Sequence, residues 1–268
     1  WMESDRLLNP VFREFYSERD VVYEERRLRT ESTPTGKFNE LFNAMFWQSH
    51  PYGWPVVGWP SDLRVYSLAQ AEDYYDTYYS PNNLTAAIVG NFDLDEAKDL
   101  AERYFGRISR GERIPPDVVT LEMEQLAEKR MEASCDCQPQ IEVRHHTVAF
   151  RHRDSYALEV LGNILNGRSG RLYKSLVLDQ EIASSARASQ NSRKWAGSFS
   201  LRAEAKGKAT PEDLEKSLYE ELRRISEEPI ADRELQKVKN QITASSYRRL
   251  SSSFFLLYQL LFYNSLGE

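Results

Sequence analysis

One local pattern occurs twice in this chain, and it limits the possible folds more than any other feature. Leu84 to Val89 (L-T-A-A-I-V) is a short, almost wholly apolar run bounded by Asn82-Asn83 and Gly90-Asn91. Apolar on both faces and bracketed by turn residues, it predicts a buried strand. Asp93 follows as a helix N-cap with Glu96 three residues on, and Leu94, Ala97, Leu100, Ala101 and Tyr104 supply one apolar face. The same order returns at Gly197 to Ala205, a second predicted strand. After it, Thr210 is an N-cap and Pro211 stands at the first helical position, where its missing N–H costs nothing. Between the two lies one linker-like stretch, Arg110 to Pro116 (R-G-E-R-I-P-P). Strand followed by capped helix on both sides of a linker predicts an α+β chain made of two similar units. The first unit is expected over 1–115, the linker over 116–128 and the second unit over 129–268.

The remaining elements fit that plan. Pro10 to Glu31 reads as one charged helix with Val11, Phe15, Val21 and Val22 as its apolar positions, ended by Thr33-Pro34-Thr35-Gly36. Helices are predicted at Phe38 to Trp47 and Leu68 to Tyr79, with a loop at His50 to Pro55. Further on, strands are predicted near Arg130 to Ser134 and Ile141 to Phe150, and a helix over Asp154 to Leu165. A glycine-rich turn at Asn166 to Gly170 leads to helices at Arg171 to Leu178, Asp232 to Leu250 and Ser252 to Leu266.

Composition removes several classes of function. The 35 basic and 41 acidic residues are interleaved with no basic stripe, which argues against nucleic acid as a partner, since that binding rests on neutralised phosphates. No apolar run approaches the ~18 residues that span a bilayer; the most apolar, Phe254 to Phe262, is broken by Tyr258 and Gln259. Cys135 and Cys137 supply two sulfurs where a zinc site takes about four ligands, so they are expected to be half-buried thiols. The chain opens at Trp1 without an initiator methionine and ends directly after a helical pattern. A boundary set by proteolysis or engineering is expected, and the lack of a targeting segment is then uninformative.

On the first long helix Glu18 and Glu25 are seven residues apart, within ~20° of one another around the axis, with Val21 and Val22 on either side. Carboxylates beside valines suit a metal or acid–base site, because burying an unpaired carboxylate is costly. Periodicity alone favours the other reading, salt bridges to Arg19, Arg26 or Arg27 on a solvated face.

The segment Ser17 to Glu25 (S-E-R-D-V-V-Y-E-E) resembles the stretch that follows the catalytic motif in insulinase-type zinc metallopeptidases, the inverted zincins, through E-R-x-x-V-x-x-E. His50-Pro51-Tyr52-Gly53, Tyr78 to Asn83, Ala87 to Phe92 and Tyr104-Phe105-Gly106 are similar to the same family in the same order. So are Asn166 to Leu172 (N-G-R-S-G-R-L) and Glu234 to Asn240 (E-L-Q-K-V-K-N). The resemblance implies two duplicated α+β domains, each a mostly antiparallel sheet packed with helices, the first of them incomplete here. It implies zinc as the cofactor of the parent protein, held by two histidines of H-x-x-E-H and a downstream glutamate. Residue by residue, that glutamate is Glu25, and Glu18 matches a supporting acidic position. Glu24, 100° away on the helix, is the competing assignment; Arg19 and Val22 favour Glu25.

Two departures matter. No H-x-x-E-H occurs, and the four histidines are His50, His145, His146 and His152. The adjacent His145 and His146 face opposite ways on a strand, while His50 and His152 suit surface or capping roles. The supplied chain is therefore expected to be inactive and not to bind zinc tightly. The arginine and tyrosine that family members place after the glycine-rich turn fall at Val177 and Ser184. A partner subunit supplying that pair, a homodimer, or a non-catalytic scaffold protein of the same fold are the alternatives. Peptide substrates are implied for an active parent, with the metal polarising the scissile carbonyl in an enclosed chamber.

Overall fold

The computed structural model describes residues 1–266. Helices α1 (Met2–Leu8), α2 (Phe15–Arg26), α3 (Gly36–Phe46), α4 (Pro60–Val65), α5 (Leu68–Tyr78) and α6 (Leu94–Phe105) precede strand β1 (Gln140–Thr147) and helix α7 (Arg153–Leu165). A π-helical segment, Tyr173–Asp179, leads to strands β2 (Ala183–Ser192) and β3 (Gly197–Ala205). Helices α8 (Pro211–Glu227), α9 (Asp232–Leu250) and α10 (Ser253–Ser265) complete the order. These elements form two compact units: Trp1–Cys135 together with α10, and Asp136–Ser252.

The second unit is built on an antiparallel sheet of order β1-β3-β2. Central β3 alternates strictly. Phe199, Leu201, Ala203 and Ala205 are buried, while Ser198, Ser200, Arg202 and Glu204 lie on the other face. The buried face meets Leu214 and Leu218 of α8, Leu165 of α7, Leu172 just before the π-helical segment and Leu176 within it. Burying each such leucine contributes about 1.5–3 kcal/mol. The start of α8 is fixed by a reciprocal cap, in which Thr210 Oγ1 accepts from the Asp213 N–H and the Asp213 carboxylate accepts from the Thr210 N–H at 2.9 Å. The Thr210 N–H, with the Thr210 hydroxyl beside it, holds the Asp213 carboxyl below its usual range.

Two segments that share the family resemblance meet in this unit. The Asn166 side chain pairs with the backbone of Ala188 through both its amide atoms, each at 2.7 Å, and so docks the glycine-rich turn on the edge of β2. A Cβ on Gly170 would lie 2.0 Å from the Asn166 carbonyl oxygen, so the close turn needs glycine there. One residue on, Arg171 forks onto Glu234 at the start of α9 (Nη2–Oε2 2.7 Å, Nε–Oε1 3.2 Å). Lys237 donates to Ser169 beside it. The hydrogen bond from Arg171 pulls the Glu234 carboxyl below the usual carboxylate range.

Several expectations need correction. The segment Leu84 to Val89 is extended at Leu84 (φ −110°, ψ 140°) but joins no ladder among the described residues, and Leu84 and Ile88 are exposed. An apolar run supplies the side chains of a buried strand but not the partner backbone that makes it one. Arg130 to Ser134 is likewise unladdered. All laddered sheet among the described residues lies in the second unit. The helix expected over Pro10 to Glu31 begins only at Phe15, after a left-handed Glu14 (φ 56°), and ends in a π-helical turn, Arg27–Glu31. Cys135 and Cys137 are disulfide-bonded, not thiols. Strand β2 was not anticipated: its sequence, A-S-S-A-R-A-S-Q-N-S, has no β-branched or aromatic residue, and pairing with β3 makes it a strand.

Leu201→Ala should cost about 2–5 kcal/mol of stability through lost burial and a cavity, whereas Ser200→Ala on the open face should change it by less than about 0.5 kcal/mol. Native-state hydrogen exchange of the β3 amides reads both changes within this unit. A carboxyl depressed in the folded state stabilises above its unfolded value, and that stability is lost as the pH falls through the folded one. Arg171→Gln should therefore cost about 1–3 kcal/mol at neutral pH, and the deficit should shrink as the pH drops below the usual carboxylate range. A deficit independent of pH would contradict the pairing.

Candidate functional site on the second helix

The rotation of α2 is set by one stripe of residues. Phe15 packs against Tyr66 with ring centroids 5.5 Å apart. Arg19 Nη1 donates to the carbonyls of Arg64 and Tyr66, each at 3.2 Å. The Tyr23 hydroxyl accepts from Arg64 Nη2 at 2.8 Å. Arg26 closes the stripe and is only 3% exposed. Its guanidinium forks onto Glu40 of α3 (Nη1–Oε2 2.6 Å, Nη2–Oε1 2.7 Å), donates to the Gly58 carbonyl at 2.9 Å, and has Glu31 3.6 Å from Nε. Gly58 sits at φ +91°, a conformation open to glycine at no steric cost, and aims that carbonyl. Glu40 raises the Arg26 pKa above its ordinary value, chiefly by the hydrogen bond.

Residues at 15, 19, 23 and 26 follow helical spacing, so the glutamates fall on the outer flank. Glu18 is exposed, and its carboxylate has no ion pair among the described residues. Glu25 is 40% exposed and paired with Arg29 at 2.9 Å, one turn on. Glu24 is 58% exposed and paired with Arg27 at 2.7 Å. Val21 and Val22 do flank this line, but both are open to solvent. The salt-bridge alternative, stated for Glu18 and Glu25 with Arg19, Arg26 or Arg27, is met by neither: Glu25 pairs with Arg29 instead, and Arg27 takes Glu24. A carboxylate held by one exposed arginine is worth little as an ion pair and is free to exchange partners.

One carboxylate is not a zinc centre. Among the described residues no three His, Cys, Asp or Glu side chains converge as a metal set. The histidines offer none: Nδ1 of His50 accepts from the Tyr52 N–H and Nδ1 of His152 from the Asp154 N–H, both as caps. His145 and His146 are successive residues of β1 and point to opposite faces. The residues of this chain by themselves therefore do not fit a catalytic zinc ion. Val177 packs partly buried against the second unit's core, and Ser184 lies on β2 with its hydroxyl near the Glu204 carbonyl at 3.3 Å. Val177 thus lies on the π-helical segment and Ser184 on a strand, so the two do not share one helix face.

A second organised feature carries no local signal in the sequence. The Glu122 carboxylate accepts from the backbone N–H groups of Gln48 (2.9 Å), Ser49 (3.1 Å) and His50 (3.0 Å). Ser49 Oγ in turn donates to the Leu121 carbonyl and accepts from the Met123 N–H, both at 2.8 Å. This carboxylate orders the loop that opens His50-Pro51-Tyr52-Gly53. With more than 70 residues between the partners, no local signal links them.

Known proteins place this architecture. Residues 66–242, more than half of the chain, match the family described as Peptidase M16 inactive domain. The zinc protease PqqE of Helicobacter pylori is 27% identical over 244 residues, covering 90% of this chain and 55% of that protein. A probable mitochondrial-processing peptidase subunit beta of Arabidopsis thaliana is 22% identical over 255 residues, covering 90% and 48%. The crystal structure of a protease from Helicobacter pylori superposes with a TM-score of 0.89 at 25% identity, over 97% of this chain and 64% of that one. The chain thus spans about half the length of these two relatives. It belongs to the M16 family of peptidases, the insulinase-type family.

Proposed function

We propose that the whole protein is a zinc-dependent metalloendopeptidase that cleaves peptides in an enclosed chamber, and that this chain alone is inactive. In the whole protein Glu25 is a zinc ligand and Glu18 a supporting acid. The observation that carries the assignment is the orientation of α2: the buried Arg26–Glu40 fork turns Glu25 to a half-open flank, where among the described residues Arg29 alone pairs with it. The name of the Helicobacter pylori relative, a zinc protease, supports the metal. On this reading residues 1–115 end the zinc-bearing half, 116–128 connect, and 129–268 form an inactive peptidase-like half.

Val177 and Ser184 favour a partner subunit, or a second copy of the protein, as the source of the substrate-contacting arginine and tyrosine. The Arabidopsis thaliana relative, named as a subunit, supports that arrangement. A non-catalytic scaffold of the same fold is the competing function. It has no need of a carboxylate at Glu25.

Glu→Gln variants at positions 18, 24 and 25 of the full-length protein separate these readings. Glu25→Gln should lose zinc and activity together. Glu18→Gln should keep the metal and lose turnover by roughly 10–100-fold, and Glu24→Gln should change neither. Zinc loss in the Glu24 variant alone would move the ligand to that residue. Zinc retained by all three would end the metalloenzyme reading of α2.

A further inference from the structure

The open face of the second unit's sheet carries a row of charges that its own residues do not balance. Glu142 of β1, Arg202 of β3 and Arg187 of β2 lie directly opposite one another across the three strands. Directly opposed residues of antiparallel strands project to the same face with Cβ atoms about 4.5–5.5 Å apart, and like charges so placed repel. Glu142 is already saturated. Its Oε1 accepts from Arg144 Nε (2.9 Å) and Nη2 (2.6 Å), and its Oε2 accepts from Arg202 Nε (3.1 Å) and Nη2. Arg187 therefore faces Arg202 with no carboxylate left for it. Its side chain makes no ion pair or hydrogen bond among the described residues. Glu204, the other acid on this face of β3, pairs in register with Ser185 and makes no ion pair with either arginine.

The row borders a cavity of about 480 Å³, lined also by Asn166, Ser189 and Ser200. The cavity wall is held in place: Asn166 is locked to Ala188, and Arg202 is fixed by its fork onto Glu142. An exposed arginine opposite a second arginine, beside hydroxyl donors and over a rigid floor, is an incomplete pair of forks. A planar carboxylate that accepts from both completes it and removes the repulsion.

We propose that this groove is a binding site for the side-chain carboxylate of an acidic, extended peptide, with Arg187 as the principal ligand and Arg202 as its partner. The choice of a peptide as carrier rests on the peptidase reading above. The carboxylate preference rests on the sheet register and on the hydrogen bonds that saturate Glu142, and is independent of zinc.

The test uses the 268-residue chain, metal-free, with N-terminally dansylated and C-terminally amidated short peptides read by fluorescence anisotropy at low ionic strength. A peptide with a central glutamate should bind at least about tenfold more tightly than its glutamine isostere. Arg187→Gln should abolish that preference while leaving the glutamine peptide's affinity and the thermal midpoint unlowered, because it removes a like-charge neighbour. Arg187→Lys should keep part of the preference. Equal affinity for the two peptides would overturn the proposal, as would an undiminished preference in Arg187→Gln. Preference only for a glutamine peptide with a free C-terminal carboxylate would also overturn it, by assigning the groove to chain ends. None of these outcomes bears on zinc content, so the groove and the peptidase reading fail separately.

Discussion

The alternation along β3 is the constraint on which the second unit depends. Because β3 pairs on both sides, its register cannot shift without breaking two ladders. A one-residue slip would put Phe199, Leu201 and Ala203 in water and Arg202 in the core. The register that buries those residues against α8 is the same one that aligns Glu142, Arg202 and Arg187 on the open face. Core and groove are two sides of one pairing.

The first unit is held differently. Its fully buried apolar set is small, with Phe46, Trp47 and Ala71 as members, and much of its order comes from polar ties. The Arg26–Glu40 fork is buried, and a buried ion pair adds little net stability over an apolar pair of similar size. Loss of either partner is expensive, because it leaves the other charge unmatched. The fork acts as a geometric lock: it fixes the rotation of α2 relative to α3 and so decides which glutamates face outward. Glu122 does the same for the loop at residues 48–50, its carboxylate taking three N–H groups that no regular element satisfies.

Legibility in the sequence followed the range of the interactions. Caps are local, and those of α6 and α8 were readable at Asp93 and Thr210, as was the relation of Glu18 to Glu25 on one helix. β3 was legible because it is apolar-alternating and bounded by turns. Its neighbour β2 was not, since small polar residues become a strand only when a partner lends its edge. The apolar run at Leu84 failed for the opposite reason, having the side chains of a buried strand but no laddered partner. Arg26–Glu40 and Arg171–Glu234 were invisible because nothing local marks which of many arginines will be buried. The α2 pattern itself came from family resemblance, as charge periodicity on that helix favours a solvated face.

The function we propose has this chain contribute one carboxylate to a metal centre whose other ligands lie elsewhere in the protein. The most direct measurement is zinc content together with cleavage of a quenched peptide, made side by side on the 268-residue chain and on the full-length protein, with and without chelator. Zinc near one ion per molecule and chelator-sensitive cleavage are expected in the full-length protein, and neither in the chain. A chain that binds zinc tightly and cleaves, or a full-length protein that does neither, would contradict that function.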